Sequence, residues 1–444
     1  MTDRDSSSGI LAIARKAKST AQRLANLNSE TKNRLLLSIR DNLQKNRERI
    51  ASANELDVQA ARKLVEAGTL TSPLLSRLIL SEDKINQLST YLEEVTKLDD
   101  PVGKKQFAMK LDDNLELTRI SCPIGVVSII FESRPEVVIQ VTALSLKSGN
   151  VAILKGGTEA SHSNRILFEL IDQVLESYEL KGAVNLIETR EDVADLLHLD
   201  EYVDLIIPRG SNDFVRYIQD NTKIPVLGHS SGICHLYLDE QCDPQKAIPV
   251  TLDSKLDYPS ACNAVETLLV HEKLRETLFP QLLTELSKAN IRLIGCKQTL
   301  KIAGQHQVQM EAATENDWIT EYSDLVLSIK MVSSLSEAVD HINTYGSHHT
   351  DSIVTEYDQA ADTFLRQVDS GCVFHNVSTR FSDGYVFGLG AEVGISTNKT
   401  HSRGPVGLEG MLIYKYLLVG DGQVRAAFSG KGARQFLHIP LPLD

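Results

Sequence analysis

Gly125–Lys155 reads GVVSIIFESRPEVVIQVTALSLKSGNVAILK. The run GVVSIIF is apolar without polar alternation, as a strand covered on both faces of a sheet must be. Glu136–Lys147 then carries a helical pattern, and NVAILK returns to a short apolar run. Strand, helix and strand in this order make a βαβ unit, the connection that joins parallel strands.

The same alternation continues downstream. Ser161–Leu180 reads as a helix, and AVNLI, VDLII, IPVLG and ICHLYL read as strands. A second series follows Cys262: ETLLV, IRLIG, LVLSIKMV, DSIVT and GCVFHN, separated by helices such as Leu274–Ala289 and Leu335–Tyr345. The polar stretch Leu252–Pro259 is the expected boundary between the two series. Upstream, Leu35, Leu36, Ile39 and Leu43 recur at helical spacing, and an alanine-rich amphipathic pattern continues from Ala51 to Val65. Phe107–Cys122 alternates around Asp112-Asp113-Asn114, which predicts a hairpin. The expected fold class is α/β, with two mostly parallel domains and a hairpin arm.

Whole-chain numbers narrow the function classes. At 444 residues the chain exceeds a single core, since domains run to about 100–200 residues. A net charge of −13 argues against nucleic acid as a partner, because phosphate neutralisation needs a basic surface. The six cysteines form no CxxC pair, so neither a zinc ribbon nor a disulfide framework is expected, and free thiols point to a reducing compartment. MTDRDSSSGI lacks the order of a signal peptide, and no apolar run approaches the ~20 residues of a membrane helix. A soluble, cytoplasmic protein without membrane contact is expected.

Gly228-His229-Ser230-Ser231-Gly232 fits GxSxG, the nucleophile elbow of hydrolases. That elbow needs a helix after the serine, whereas ICHLYL follows with strand character, and two glycines in a tight connection explain the pattern equally well. No GxGxxG and no GxxxxGK[ST] is present. Lys155-Gly156-Gly157-Thr158 and Arg209-Gly210-Ser211 nevertheless close two strands just before helices, where backbone N–H groups and the helix dipole favour an anion. Cys234 and Cys296 read as small buried hydrophobes. Cys262, in Tyr258-Pro259-Ser260-Ala261-Cys262-Asn263-Ala264, follows a proline turn among small residues, so an accessible nucleophile and a buried thiol both fit. His348-His349 reads as a surface-turn pair after Gly346-Ser347, and no HExxH or comparable metal spacing appears.

Ser260–Ala264, Val373–Ser378 and Tyr385–Ser396 resemble motifs of the aldehyde dehydrogenase superfamily. Within it, FESRPEVV (131–138), DYPSACNAVETLLV (257–270), HINTYGSHHTDSIVT (341–355) and HSRGPVGLEG (401–410) resemble the subfamily that reduces L-glutamate 5-phosphate to glutamate 5-semialdehyde in proline biosynthesis. The resemblance runs from about residue 10 to 427. It implies a Rossmann-type cofactor domain (1–104 and 123–254), a catalytic domain (255–410) and a β-hairpin oligomerisation arm (105–122 and 411–444). It puts Cys262 at the nucleophile, Lys155 with Gly156 and Thr158 at the adenosine ribose, Gly210 and Ser211 at the pyrophosphate, and Glu321 at the nicotinamide ribose. It also implies a homo-oligomer, a dimer or tetramer, and a glutamate 5-kinase upstream.

Three departures from the superfamily pattern accompany it. Val226-Leu227-Gly228 stands where aldehyde-oxidising members carry a glutamate that activates water. Ser133 replaces the oxyanion-binding asparagine, leaving Ser133, Asn263 and the backbone N–H of Cys262 as candidate donors. Thr158 replaces a carboxylate that grips a 2′-hydroxyl, which suits NADPH. Arg134, Arg380 and Arg403 are the candidate cations for a substrate bearing a carboxylate and a phosphate.

Overall fold

A computed structural model describes residues 5–443 apart from Ser211, Ser230 and Ala391. The chain divides into two compact units. The first contains the residues up to Gly210, Tyr217–Val226 and those from Gly407 onward; the second contains 211–216 and Leu227–Val406.

In the first unit, β1 (Lys105–Asp112) and β2 (Leu115–Pro123) form the expected antiparallel hairpin, with Asn114 at φ 57° in its turn. The C-terminal strand Leu412–Val419 adds to β2, and Ile439–Pro440 adds to β1. A separate sheet is wholly parallel: β3 (Val126–Phe131), β4 (Val151–Lys155), β5 (Val184–Ile187) and β6 (Leu205–Arg209), in the order β5-β4-β3-β6. Every residue of β3 is buried, as is nearly every residue of the following helix Val137–Lys147, which explains the unbroken apolar reading of both. Leu35, Leu36, Ile39 and Leu43 are buried on the helix Ser29–Lys45. The central β3 has β4 on one side and β6 on the other, so the chain changes winding direction there. Parallel sheets bind ligands outside the carboxyl ends of their strands at such a switch point.

The second unit holds a seven-stranded sheet, also parallel throughout. Its strands are β7 (Cys234–Leu238), β8 (Val265–His271), β9 (Arg292–Gly295), β10 (Glu311–Ala312), β11 (Val326–Val332), β12 (Thr350–Val354) and β13 (Cys372–His375), in the order β10-β9-β11-β8-β7-β12-β13. A separate antiparallel pair, β14 (Gly394–Ser396) and β15 (Gly404–Val406), lies in the same unit.

Several expectations change. The division falls at Leu227 rather than at residue 255, because β7 is hydrogen-bonded between β8 and β12 and carries its flanking segments into the second unit. The polar stretch expected as a boundary instead begins as the end of a helix, Pro244–Leu256. IPVLG is not a strand: Val226 makes a single bridge to Ile206, and Pro225 cannot donate to a ladder. The helix expected from Leu274 runs from Phe279 to Lys288, with Pro280 in its first turn where no N–H is needed.

Candidate active site

At the carboxyl edge of the first unit's parallel sheet, three strand exits lie side by side, since Ile130 pairs with Lys155 and Phe131 with Arg209. Ser133, two residues past β3, adopts φ 48° and is buried. Its backbone N–H and its hydroxyl both donate to Glu159 Oε1, at 2.6 and 2.7 Å. Two bonds to one carboxylate hold a left-handed conformation that costs a non-glycine residue ~1 kcal/mol. The Ser133 hydroxyl is therefore engaged by Glu159. Arg134 is half-buried and makes no ion pair with any described residue.

Lys155 closes β4 half-buried; burial lowers its ammonium pKa, opposed by the charges of Glu159 and Glu132. A Cβ on Gly156 would sit 2.1 Å from Nδ2 of the buried Asn164, so only glycine lets this turn approach the helix. Exposed Thr158 begins the short turn into the helix Ser161–Ser177. A cavity of about 200 Å³ opens here, lined by Gly156, Thr158, Asn164, Arg165 and Glu188 among others. Arg165 and Glu188, an ion pair at 2.7 Å, were missed in the sequence because each sits unremarkably, one inside a helix and one just past β5. Gly210 is exposed just past β6, while Ser211 lies outside the described residues.

In the second unit, Cys262 lies half-buried in linked turns before β8: Ala261 N–H donates to Tyr258 O and Ala264 N–H to Ala261 O, each at 3.0 Å. Gly232 backs this loop so closely that a Cβ would stand 2.2 Å from the Cys262 carbonyl oxygen and 2.7 Å from its Cα. That contact explains the second glycine of the GxSxG match, and the strand β7 follows directly. Ser230 itself lies outside the described residues. The buried Cys234 thiol donates to the Cys262 carbonyl at 3.3 Å. One ligand atom each of Cys262, His229 and His349 lie within 4.8 Å of one another. His349 is fully buried, against the expectation of a surface turn, because its residue leads straight into β12.

Asn263 is buried, its Nδ2 donating to Ser382 O at 2.9 Å and its Oδ1 accepting from the Arg380 guanidinium. Arg380 also donates to Asp257 Oδ2 at 3.0 Å, so it braces the cysteine loop from Asp257 to Asn263. Arg403 donates to Asp369 Oδ1, to Asp369 O and to Thr397 O, at 2.9, 2.9 and 3.3 Å. Glu321 accepts from Asn212 Nδ2 at 3.0 Å. Cys296 departs from its buried reading: it is half-buried at the start of the helix Lys297–Gln305. Burial would raise its thiol, but backbone N–H groups around Met331, Thr299 and Gln298 bring it below the ordinary value.

The profile of the aldehyde dehydrogenase family matches residues 3–294, and the chain belongs to that family. It is an oxidoreductase. Within the family it falls with the gamma-glutamyl phosphate reductases. The one from Methanosarcina acetivorans is 51% identical over 431 residues, 96% of each chain, and one from Synechocystis is 49% identical over 435 residues, 98% of each. The crystal structure of gamma-glutamyl phosphate reductase from Thermotoga maritima superposes with a TM-score of 0.90 at 39% identity, covering 94% of this chain and 99% of the other. An acetylating aldehyde dehydrogenase from Geobacillus thermoglucosidasius, 16% identical with a TM-score of 0.64, shares the fold. Among the described residues no helix is long and apolar enough to cross a membrane.

Proposed function

We propose that the chain reduces L-glutamate 5-phosphate to L-glutamate 5-semialdehyde with NADPH, releasing phosphate, in proline biosynthesis. The observation that carries this reading is a half-buried cysteine on a glycine-backed loop, in a chain that matches gamma-glutamyl phosphate reductases nearly end to end.

Cys262 attacks the acyl carbonyl as the thiolate, the C–O bond to phosphate breaks, and a thioester forms on its sulfur. Phosphate is a good leaving group, so no strong acid is required. The Cys262 backbone N–H steadies the oxyanion. Ser133 and Asn263 act by holding their loops, since their side chains bond to Glu159, Arg380 and Ser382. Arg134 carries the substrate anion, while Arg380 and Arg403 shape the loops through Asp257 and Asp369.

The first unit is the cofactor-binding domain. The backbone N–H groups after β4 and β6, with Lys155 and the cavity beside Thr158 and Arg165, suit a phosphorylated dinucleotide. Glu321, held by Asn212, suits a ribose hydroxyl. When bound, the nicotinamide supplies the hydride that reduces the acyl group. Val226 stands where aldehyde-oxidising members carry the carboxylate that activates water, so the thioester survives until it is reduced. The exposed strand Leu412–Val419 suits pairing with a second copy, and a kinase acting on glutamate supplies the acyl phosphate.

The test runs the reaction backwards, with the semialdehyde, NADP⁺ and inorganic phosphate. NADPH should form only when phosphate is present. Phosphate-independent NADPH formation with glutamate as product would assign a hydrolytic aldehyde dehydrogenase instead. Cofactor choice is tested at the exposed Thr158: Thr158→Glu should shift the NADPH/NADH ratio of kcat/KM toward NADH by about tenfold, because a carboxylate repels a 2′-phosphate and binds a 2′-hydroxyl. An unchanged ratio would remove Thr158 from the ribose site.

A further inference from the structure

The amino ends of β7, β8 and β12 lie together in one sheet, and three donors hang from the segments that enter them. His229 precedes β7, Cys262 precedes β8 and His349 precedes β12. One ligand atom from each lies within 4.8 Å of the others. Ligands around a tetrahedral zinc ion stand ~3.5 Å apart, given bonds of ~2.0–2.3 Å. Small side-chain rotations bridge that difference. The frame beneath is fixed by the sheet, in which Cys234 pairs with Val265 and His235 with Asp351.

Two further observations point to a ligand. His229 Nδ1 lies 3.0 Å from the Ile395 carbonyl, which can only accept, so in the neutral ring Nδ1 bears the proton and Nε2 the lone pair. Metal-binding histidines are oriented by just such a bond from the other ring nitrogen. His349 is fully buried; its Nδ1 is bonded to the Thr350 hydroxyl at 2.8 Å, while its Nε2 has no hydrogen-bond partner among the described residues. A buried polar atom left without a partner calls for an explanation. The two imidazoles meet edge to face with centroids 5.0 Å apart, and both His229 and Cys262 are reachable from solvent.

We propose that His229, Cys262 and His349 form a site for a soft divalent cation, zinc foremost, through which the metal reversibly blocks the nucleophile. Two nitrogens and a sulfur exclude magnesium and calcium and leave a fourth position for water. Binding replaces the thiol S–H bond with a metal–sulfur bond and releases one proton, so it strengthens as pH rises. The blocking effect rests on Cys262 being the nucleophile, as proposed above; the binding does not.

The probe is Co²⁺, added to the reduced full-length protein and followed by absorption. A thiolate-to-cobalt charge-transfer band with intense tetrahedral visible bands should appear, and Zn²⁺ should bleach both. Cys262→Ala should abolish the charge-transfer band, and half-exposed His229→Asn should weaken Co²⁺ affinity at least tenfold. With the wild-type enzyme, zinc should stop turnover and a chelator should restore it. No charge-transfer band in the wild type, or an unchanged band in Cys262→Ala, overturns the site. Loss of turnover in Cys262→Ala without a wild-type band keeps the nucleophile and rejects the metal site. A band that vanishes in a Cys262→Ala protein still turning over keeps the metal site and rejects the nucleophile.

Discussion

Cys262→Ala is expected to abolish turnover, a loss on the order of 10⁴-fold or more, while the melting temperature moves little. The reaction needs a covalent acceptor for the acyl group, and Cys262 carries the one thiol in the loop from Asp257 to Ala264. Asn263 is tied to Ser382 and Arg380, and Cys234 is buried with its thiol pushed well up by burial. The stability cost is small because the change removes one sulfur from a half-buried side chain, and the turns around it are held by backbone bonds from Ala261 and Ala264. Steady-state rates and thermal melts should be taken together, beside Ser230→Ala, which should keep most activity. A folded Cys262→Ala protein with near-normal rates would return the GxSxG reading to contention.

Gly232→Ala is expected to lower kcat by about 10²-fold and to destabilise the protein by ~1–3 kcal/mol. The new methyl would meet the Cys262 carbonyl oxygen at 2.2 Å and its Cα at 2.7 Å. Both are backbone atoms that no rotamer can move aside, so the loop itself must shift. A displacement near 1 Å at the nucleophile is enough for the loss. Gly304→Ala is the matched control: nothing stands within 4 Å of its Cβ, in a helix where alanine is favoured. Equal rates for Gly232→Ala and Gly304→Ala would show that Cys262 tolerates displacement or is not the nucleophile.

The parallel architecture was legible because strands buried on both faces leave unbroken apolar runs, as GVVSIIF and NVAILK do. The hairpin was legible from alternation around Asp113-Asn114. The position of β7 was not, because its place between β8 and β12 depends on pairing with segments far along the chain. The commitment of Ser133 to Glu159 and of Arg403 to Asp369 was hidden for the same reason. Motif resemblance singled out Cys262 as a candidate, yet gave no hint that Gly232 lies against it or that His349 is buried nearby. Local glycine and serine context predicted a surface turn for His349, and tertiary packing overrode it. Contacts between remote residues leave no periodicity to read.

The first unit is closed by the last part of the chain. Strand Leu412–Val419 pairs with β2 along its whole length, and Asn150 Nδ2 donates to Met411 O at 2.7 Å. A ribosome making ~5–20 residues per second needs about 15–60 s to travel from β2 to its partner. Throughout that interval one edge of β2 has no strand to pair with, which is the state most open to adventitious pairing with other chains. Premature termination anywhere in the second unit therefore releases a polypeptide whose first unit cannot close, however complete its parallel sheet.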